Sequence, residues 1–150
     1  MNAPYHPNIE YIAFATPPYV EALALREKVL RIPIRKAFHP MEIEDEWRQY
    51  HFGYRDDHSM ALIGVCALKR VDTTCIQLRQ MAVEEGWRRR GVGSTLVLYC
   101  IKWASARGYR SMRLDARHHA VAFYVKMGFK KVSAPFEHLG ITHYAMYRDL

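Results

Sequence analysis

One stretch limits the folds open to this chain more than any other: Gln80-Met81-Ala82-Val83-Glu84-Glu85-Gly86-Trp87-Arg88-Arg89-Arg90-Gly91-Val92-Gly93-Ser94. It reads as the end of a strand, a tight basic turn and the first turn of a helix. Gly91 and Gly93 let the backbone take a positive φ and approach a ligand closely. A helix that starts there leaves N–H groups unpaired and carries partial positive charge. Together these features suit a phosphate or pyrophosphate. Arg88, Arg89 and Arg90 add fixed cations that can meet phosphate oxygens in bidentate fashion. A solvated basic turn ahead of an ordinary helix has the same spelling, so glycine spacing alone does not decide.

The flanking segments alternate between strand and helix periods. Ile9 to Phe14 has the β-branched and aromatic character of a first strand. Thr16-Pro17-Pro18 opens a helix over 18–31, with Val20, Leu23, Ala24 and Leu30 inward and Arg26, Lys28 and Arg31 on the polar side. Residues 33–50 form a loop with room for one short helix. Its acids Glu42, Glu44, Asp45 and Glu46 are either a solvated face or an attractor for a cationic amine. Strands follow at 50–54, 60–69 and 75–83, the last two as an antiparallel hairpin around Val71-Asp72-Thr73-Thr74. Within 75–83 the alternation slips by one residue between Ile76/Leu78 and Met81/Val83, which predicts a β-bulge. Val92, Leu96, Val97, Cys100, Ile101 and Ala104 make a helical stripe closed by Gly108. A strand at 109–115 completes a βαβ crossover with the glycine turn at its first junction. A helix ending at Gly128, strands at 129–132 and 141–148, and a loop over 133–140 finish the chain.

This pattern is that of one α/β domain spanning residues 1–150. The length suffices for a core, and 50% hydrophobic with 25% charged residues is ordinary for a globular protein. No apolar run has the length of a bilayer span, and Met1 to Glu10 lacks the pattern of a secretory signal. Cys66, Cys75 and Cys100 are odd in number with no C-x-x-C pair, which suits a reducing cytoplasm and predicts no metal site. The net charge of +7 calls for an anionic partner. The arginines are dispersed except at 88–90, which favours a local anion site over a nucleic-acid-binding stripe or a membrane surface.

Three features coincide in order. Arg88-Arg89-Arg90-Gly91-Val92-Gly93 fits Q/R-x-x-G-x-G/A between strand and helix. Met81-Ala82-Val83 closes the strand before it. Ala120-x-x-Phe123-Tyr124-x-x-x-Gly128-Phe129 follows. Together they resemble the GNAT superfamily of acetyl-CoA-dependent N-acetyltransferases. Leu25 to Arg31 also resembles the opening helix of small bacterial members. The resemblance implies a mixed, mostly antiparallel sheet of six to seven strands, splayed at the cofactor site, with about four flanking helices. It implies that Met81, Ala82 and Val83 hold the pantetheine arm of acetyl-CoA by backbone hydrogen bonds, one N–H facing the thioester carbonyl. It implies that Arg88, Arg89, Arg90, Gly91, Val92, Gly93 and Ser94 hold the pyrophosphate. Arg117 stands where the family often has asparagine and is carried over as a cofactor contact. Tyr124 matches the tyrosine near the thioester sulfur, although its spacing alone fits a core aromatic.

The implied reaction moves an acetyl group to a primary amine by direct attack, with no covalent enzyme intermediate. Tyr124 then serves as the acid for the departing thiolate, and a backbone N–H at Met81 or Val83 stabilises the oxyanion. The base is open among Glu42, Glu44, His51, Asp56 and His143. Gln77 occupies a strand position that carries a glutamate base in some members, and glutamine takes no proton at neutral pH. That substitution keeps a second class in play, a non-catalytic acyl-CoA-binding or sensing module. The acceptor and the assembly, a homodimer included, are left open by the sequence.

Overall fold

The structure is a computed structural model describing residues 3–150. Among these residues the strands are β1 (Ile9–Ile12), β2 (Tyr50–Arg55), β3 (Leu62–Arg70), β4 (Cys75–Val83), β5 (Ser111–Arg117), β6 (Lys130–Lys131), β7 (Phe136–His138) and β8 (Ile141–Asp149). The helices are α1 (Pro17–Arg26), α2 (Pro40–Ile43), α3 (Val92–Ala106) and α4 (Val121–Lys126). The strands form one sheet in the order β1-β2-β3-β4-β5-β8-β6, with β7 added on β8. Only β4 and β5 pair in parallel, and α3 is the crossover between them.

Each face of the sheet buries its own cluster. Leu68, Ile76, Leu78, Met112, Leu114 and Met146 pack with Val92, Leu96, Val97, Cys100 and Ala104 of α3. Ile12, Leu62, Val65 and Ala82 pack with Tyr19, Ala22 and Leu25 of α1. The α3 stripe is the predicted one with Trp103 added, and Gly108 follows it with φ 87°.

The alternation slip in β4 is a bulge. Val65 stands opposite Ala82 and Ala67 opposite Arg79, so Gln80 and Met81 together face Cys66. Gln80 takes φ 56° to make the extra step. Before the bulge, Gln77 and Arg79 share the α1 face with their partners Lys69 and Ala67; after it, Ala82 takes over that face.

The opening helix departs from its predicted orientation. Tyr19, Ala22, Leu25 and Arg26 are its buried residues, and Val20 is 62% exposed. The coil widens into a π turn at Glu27–Arg31 and tightens to a 3-10 turn at Ile32–Ile34, around Pro33. Arg26 and Arg31, expected on the polar side, are both buried. The reason lies in the acidic segment that follows. Arg26 donates to both carboxylate oxygens of Glu46 at 2.7 Å, and the Tyr19 hydroxyl donates to one of them at 2.7 Å. Arg31 donates to both oxygens of Glu42 at 3.1 Å. The Phe38 ring covers both guanidiniums, at 4.8 and 4.1 Å. The acid cluster is therefore no uniform solvated face: its last member, Glu46, is fully buried and neutralised.

The segment 133–140, expected as a loop, carries β7. It pairs with β8 around a two-residue turn at Leu139 and Gly140, both at positive φ (54° and 73°). Two such residues match a type I′ hairpin turn.

Candidate active site

The parallel ladder between β4 and β5 ends early. Its last pair is Gln77 with Arg113; beyond it β4 stays with β3 and β5 stays with β8. The β5-facing edge of Leu78–Val83 is thus left without a strand partner, and an extended ligand can add to it as a strand would. The opening is a cleft of about 870 Å³, lined by Leu78 to Met81 and Val83 on one side and Leu114 to Arg117 on the other.

The N-terminus of α3 closes one end of this cleft. Gly91 at φ 82° redirects the chain into the helix. No side chain caps the helix from this end, and the hydroxyls of Ser94 and Thr95 both turn back to donate to the Gly91 carbonyl, at 3.1 and 2.6 Å. The first-turn N–H groups are therefore left for an outside acceptor. Arg88 and Arg89 line the cleft beside them, and neither ion-pairs with an acid among the described residues. Arg90 lies apart, its guanidinium 5.1 Å from the centre of the Trp87 ring.

Tyr124 reaches the cleft from α4, in contact with Phe123 and Phe129. Burial above all, and then the neighbouring thiols of Cys66 and Cys100, push the phenol pKa well above its ordinary value. The hydroxyl is held in its protonated form, the form a proton donor needs.

Of the other residues singled out by sequence, Met81, Val83, Gly91, Gly93, Ser94 and Arg117 line the cleft. Ala82 points away into the α1-side cluster, and Val92 packs into the α3-side core, so only their backbones are available. Arg117 is half-buried and donates to the carbonyl of Leu30 at 2.7 Å, tying β5 to the π turn of the opening helix.

The candidate bases separate by position. Glu42 is held by Arg31 and by the backbone N–H of His39 at 2.6 Å. The Nε2 of buried His51 is occupied by the Glu46 carbonyl at 2.9 Å. Asp56 accepts from the N–H and hydroxyl of Ser59 in the β2–β3 turn. Neither these nor Glu44 line the cleft, whereas His143 does. Its Nδ1 meets the Ile141 carbonyl at 2.8 Å. A carbonyl can only accept, so Nδ1 carries a proton, and in the neutral ring the lone pair is then on Nε2. Sequence reasoning missed Arg79, Asp115 and Glu137 as cleft residues. The alternation of β5 carried a usable signal for Asp115; Glu137 needed β7.

A model of the acetyltransferase (GNAT) family matches residues 19–129 of this chain. The chain belongs to that family. A Bacillus subtilis protein described as an uncharacterized N-acetyltransferase, YitI, is 35% identical over 80 residues, which is 53% of this chain and 54% of the relative, so the match spans about half of each. Among solved structures, Escherichia coli ElaA superposes with a TM-score of 0.77 at 20% identity, covering 93% of this chain and 99% of that one. A GNAT family acetyltransferase from Elizabethkingia anophelis, solved with acetyl-CoA bound, gives 0.72 at 18% identity, covering 97% of this GNAT chain and 100% of its own. At such identities the structural matches speak for the fold alone. The splayed mixed sheet expected from the sequence is the GNAT fold, here with eight strands instead of six or seven. Among the described residues no helix is long and apolar enough to cross a membrane.

Proposed function

We propose that this chain is one N-acetyltransferase domain that moves an acetyl group from acetyl-CoA to a primary amine. The observation that carries the reading is the gap between β4 and β5 beyond Gln77, which runs from the bulge to the uncapped start of α3. The donor set fits the cofactor. Unpaired strand edge suits the amide-rich pantetheine arm, and α3 N–H groups with Arg88 and Arg89 suit the diphosphate. When bound, acetyl-CoA supplies the activated acetyl thioester.

The remaining chemistry falls to the protein. A backbone N–H at Met81 or Val83, on the edge of β4 that β5 leaves free, stabilises negative charge on the thioester oxygen. Tyr124 gives the departing sulfur the proton it needs as the C–S bond breaks. His143 Nε2 takes the proton that the amine sheds as the C–N bond forms, so charge and protons balance across the step. His143 fills the role that Gln77 cannot. Holding both reactants in one cleft lowers the entropic part of the barrier.

Incubating the protein with acetyl-CoA and a broad amine panel, with detection of free thiol, tests the reading. Amine-dependent CoA release is expected. The binding-only alternative, which Gln77 favours, predicts cofactor binding with no release above buffer.

A further inference from the structure

The half of the cleft on the α1 face carries more charge than acetyl transfer itself demands. Gln77 pairs in register with Arg113, and Arg117 with His143, so Gln77 and Arg79 of β4, Asp115 and Arg117 of β5 and His143 of β8 all point to one face. All but Arg113 line the cleft. Arg79 is partly buried, and its one side-chain hydrogen bond goes to a neutral group, the Gln49 carbonyl oxygen at 3.0 Å. Arg117 likewise meets only the Leu30 carbonyl. Neither forms an ion pair within 4.0 Å among the described residues, whereas Arg26, Arg31 and Arg55 each do. Burial works against the charge of both, and at Arg79 the carboxylates of Glu46, Asp45 and Asp115, none within ion-pair distance, offset it only in part. A half-buried guanidinium with neutral partners, open to a cavity, is complementary to an incoming anion.

That anion is not supplied by the cofactor as placed above. The diphosphate site is at the α3 N-terminus, on the opposite face of the sheet, and the pantetheine arm between the strands is uncharged. Arg79 instead lies two residues before Met81, on the near side of the bulge that carries the proposed thioester site. The same cleft also holds the carboxylates of Asp115 and Glu137, the latter accepting from the Thr142 hydroxyl at 2.6 Å. Cation and anion side by side favour a ligand with both charges.

We infer that the acceptor is a small amine bearing its own carboxylate, an amino acid in zwitterionic form, with Arg79 as the residue that reads the carboxylate. The inference rests on the proposed acetyl transfer. Asp115 and Glu137 draw the ammonium end in; it gives one proton to solvent as it becomes the free amine, and His143 takes the second as the C–N bond forms. Arg79 acts on binding and specificity and takes no part in proton transfer.

The test uses the full chain, acetyl-CoA, and the standard L-amino acids paired with their carboxamides. At least one amino acid is expected to exceed its carboxamide in kcat/KM by about 100-fold, since a site built for a charged group rejects the analogue lacking it. Arg79→Gln should bring that ratio to within about threefold through KM, with acetyl-CoA affinity unchanged, and Arg79→Lys should retain part of the preference. The acetyl-CoA affinity of each variant reports whether it folds. Carboxamides used as well as acids, a preference that survives in Arg79→Gln, or no amino acid turned over by a protein that binds acetyl-CoA would each overturn the inference. Failure of the wild-type chain to bind acetyl-CoA at all would instead remove the proposed function, and this inference with it.

Discussion

Two sets of arginines divide this molecule. Beside α1, Arg26, Arg31 and Arg55 are each matched to carboxylates in bidentate or double pairs. Around the cleft, Arg79, Arg88, Arg89 and Arg117 have no carboxylate within ion-pair distance among the described residues. The first set is satisfied by the chain itself and so holds the chain together. The second has no carboxylate partner within the chain: Arg88 and Arg89 face solvent, while Arg79 and Arg117 are partly buried against neutral acceptors, which leaves all four able to meet a ligand. Charge count along the sequence does not separate the two sets; pairing in space does.

Removing a partner from the satisfied set breaks this comparison most visibly. Arg26→Met leaves the Glu46 carboxylate buried without its counter-charge, and urea unfolding should show a loss of about 3–5 kcal/mol. Arg88→Ala should change stability by no more than about 0.5 kcal/mol. Equal losses would mean that the two sets do not differ. Next in size, Tyr124→Phe should lower the rate of CoA release by about 100-fold or more while acetyl-CoA affinity stays within about threefold. Unchanged turnover would remove Tyr124 as the acid.

The glycines sharpen the same contrast on the backbone. Gly91→Ala forces φ 82° on a residue with a Cβ, a cost of about 1–2 kcal/mol. At Gly93 a Cβ would meet Phe123 and Val83 at 3.5 and 3.6 Å, ordinary contact distances. Gly93→Ala should therefore lie within about 0.5 kcal/mol of wild type and still bind acetyl-CoA. Thermal unfolding of the pair checks this.

The smallest effect is graded with pH. Burial holds the His51 pKa below its ordinary 6.5. Burial raises the Glu46 pKa, but the Arg26 guanidinium, with the Tyr19 hydroxyl and His51, outweighs it and leaves the carboxyl below its ordinary 4.5. In both cases the unfolded chain takes up protons that the folded chain refuses, so stability falls as pH drops. The loss begins below pH 6.5 through His51 and deepens below 4.5 through Glu46. Unfolding free energies that rise from pH 7 toward pH 5 would contradict this.

Local signals made the cleft legible and left its charge balance hidden. The slip between Leu78 and Met81 announced the bulge because β-strand side chains alternate strictly. Gly91 and Gly108 marked both ends of α3 because helix termini need special backbone. The orientation of α1 was not readable, since burying Arg26 depends on Glu46, twenty residues away in sequence. β7 was missed because Phe136–His138 is short and exposed on every residue, with no apolar alternation to betray it. Arg79 gave no sign of its role, because an arginine on a strand looks the same whether or not an acid lies opposite.

Isothermal titration of the full chain with acetyl-CoA is the most direct check on the cleft as a cofactor site. The account predicts one cofactor per chain, an affinity that weakens as salt rises, and a further loss of about tenfold or more in an Arg88→Ala/Arg89→Ala double variant. No heat of binding, or an affinity indifferent both to salt and to those arginines, would contradict it.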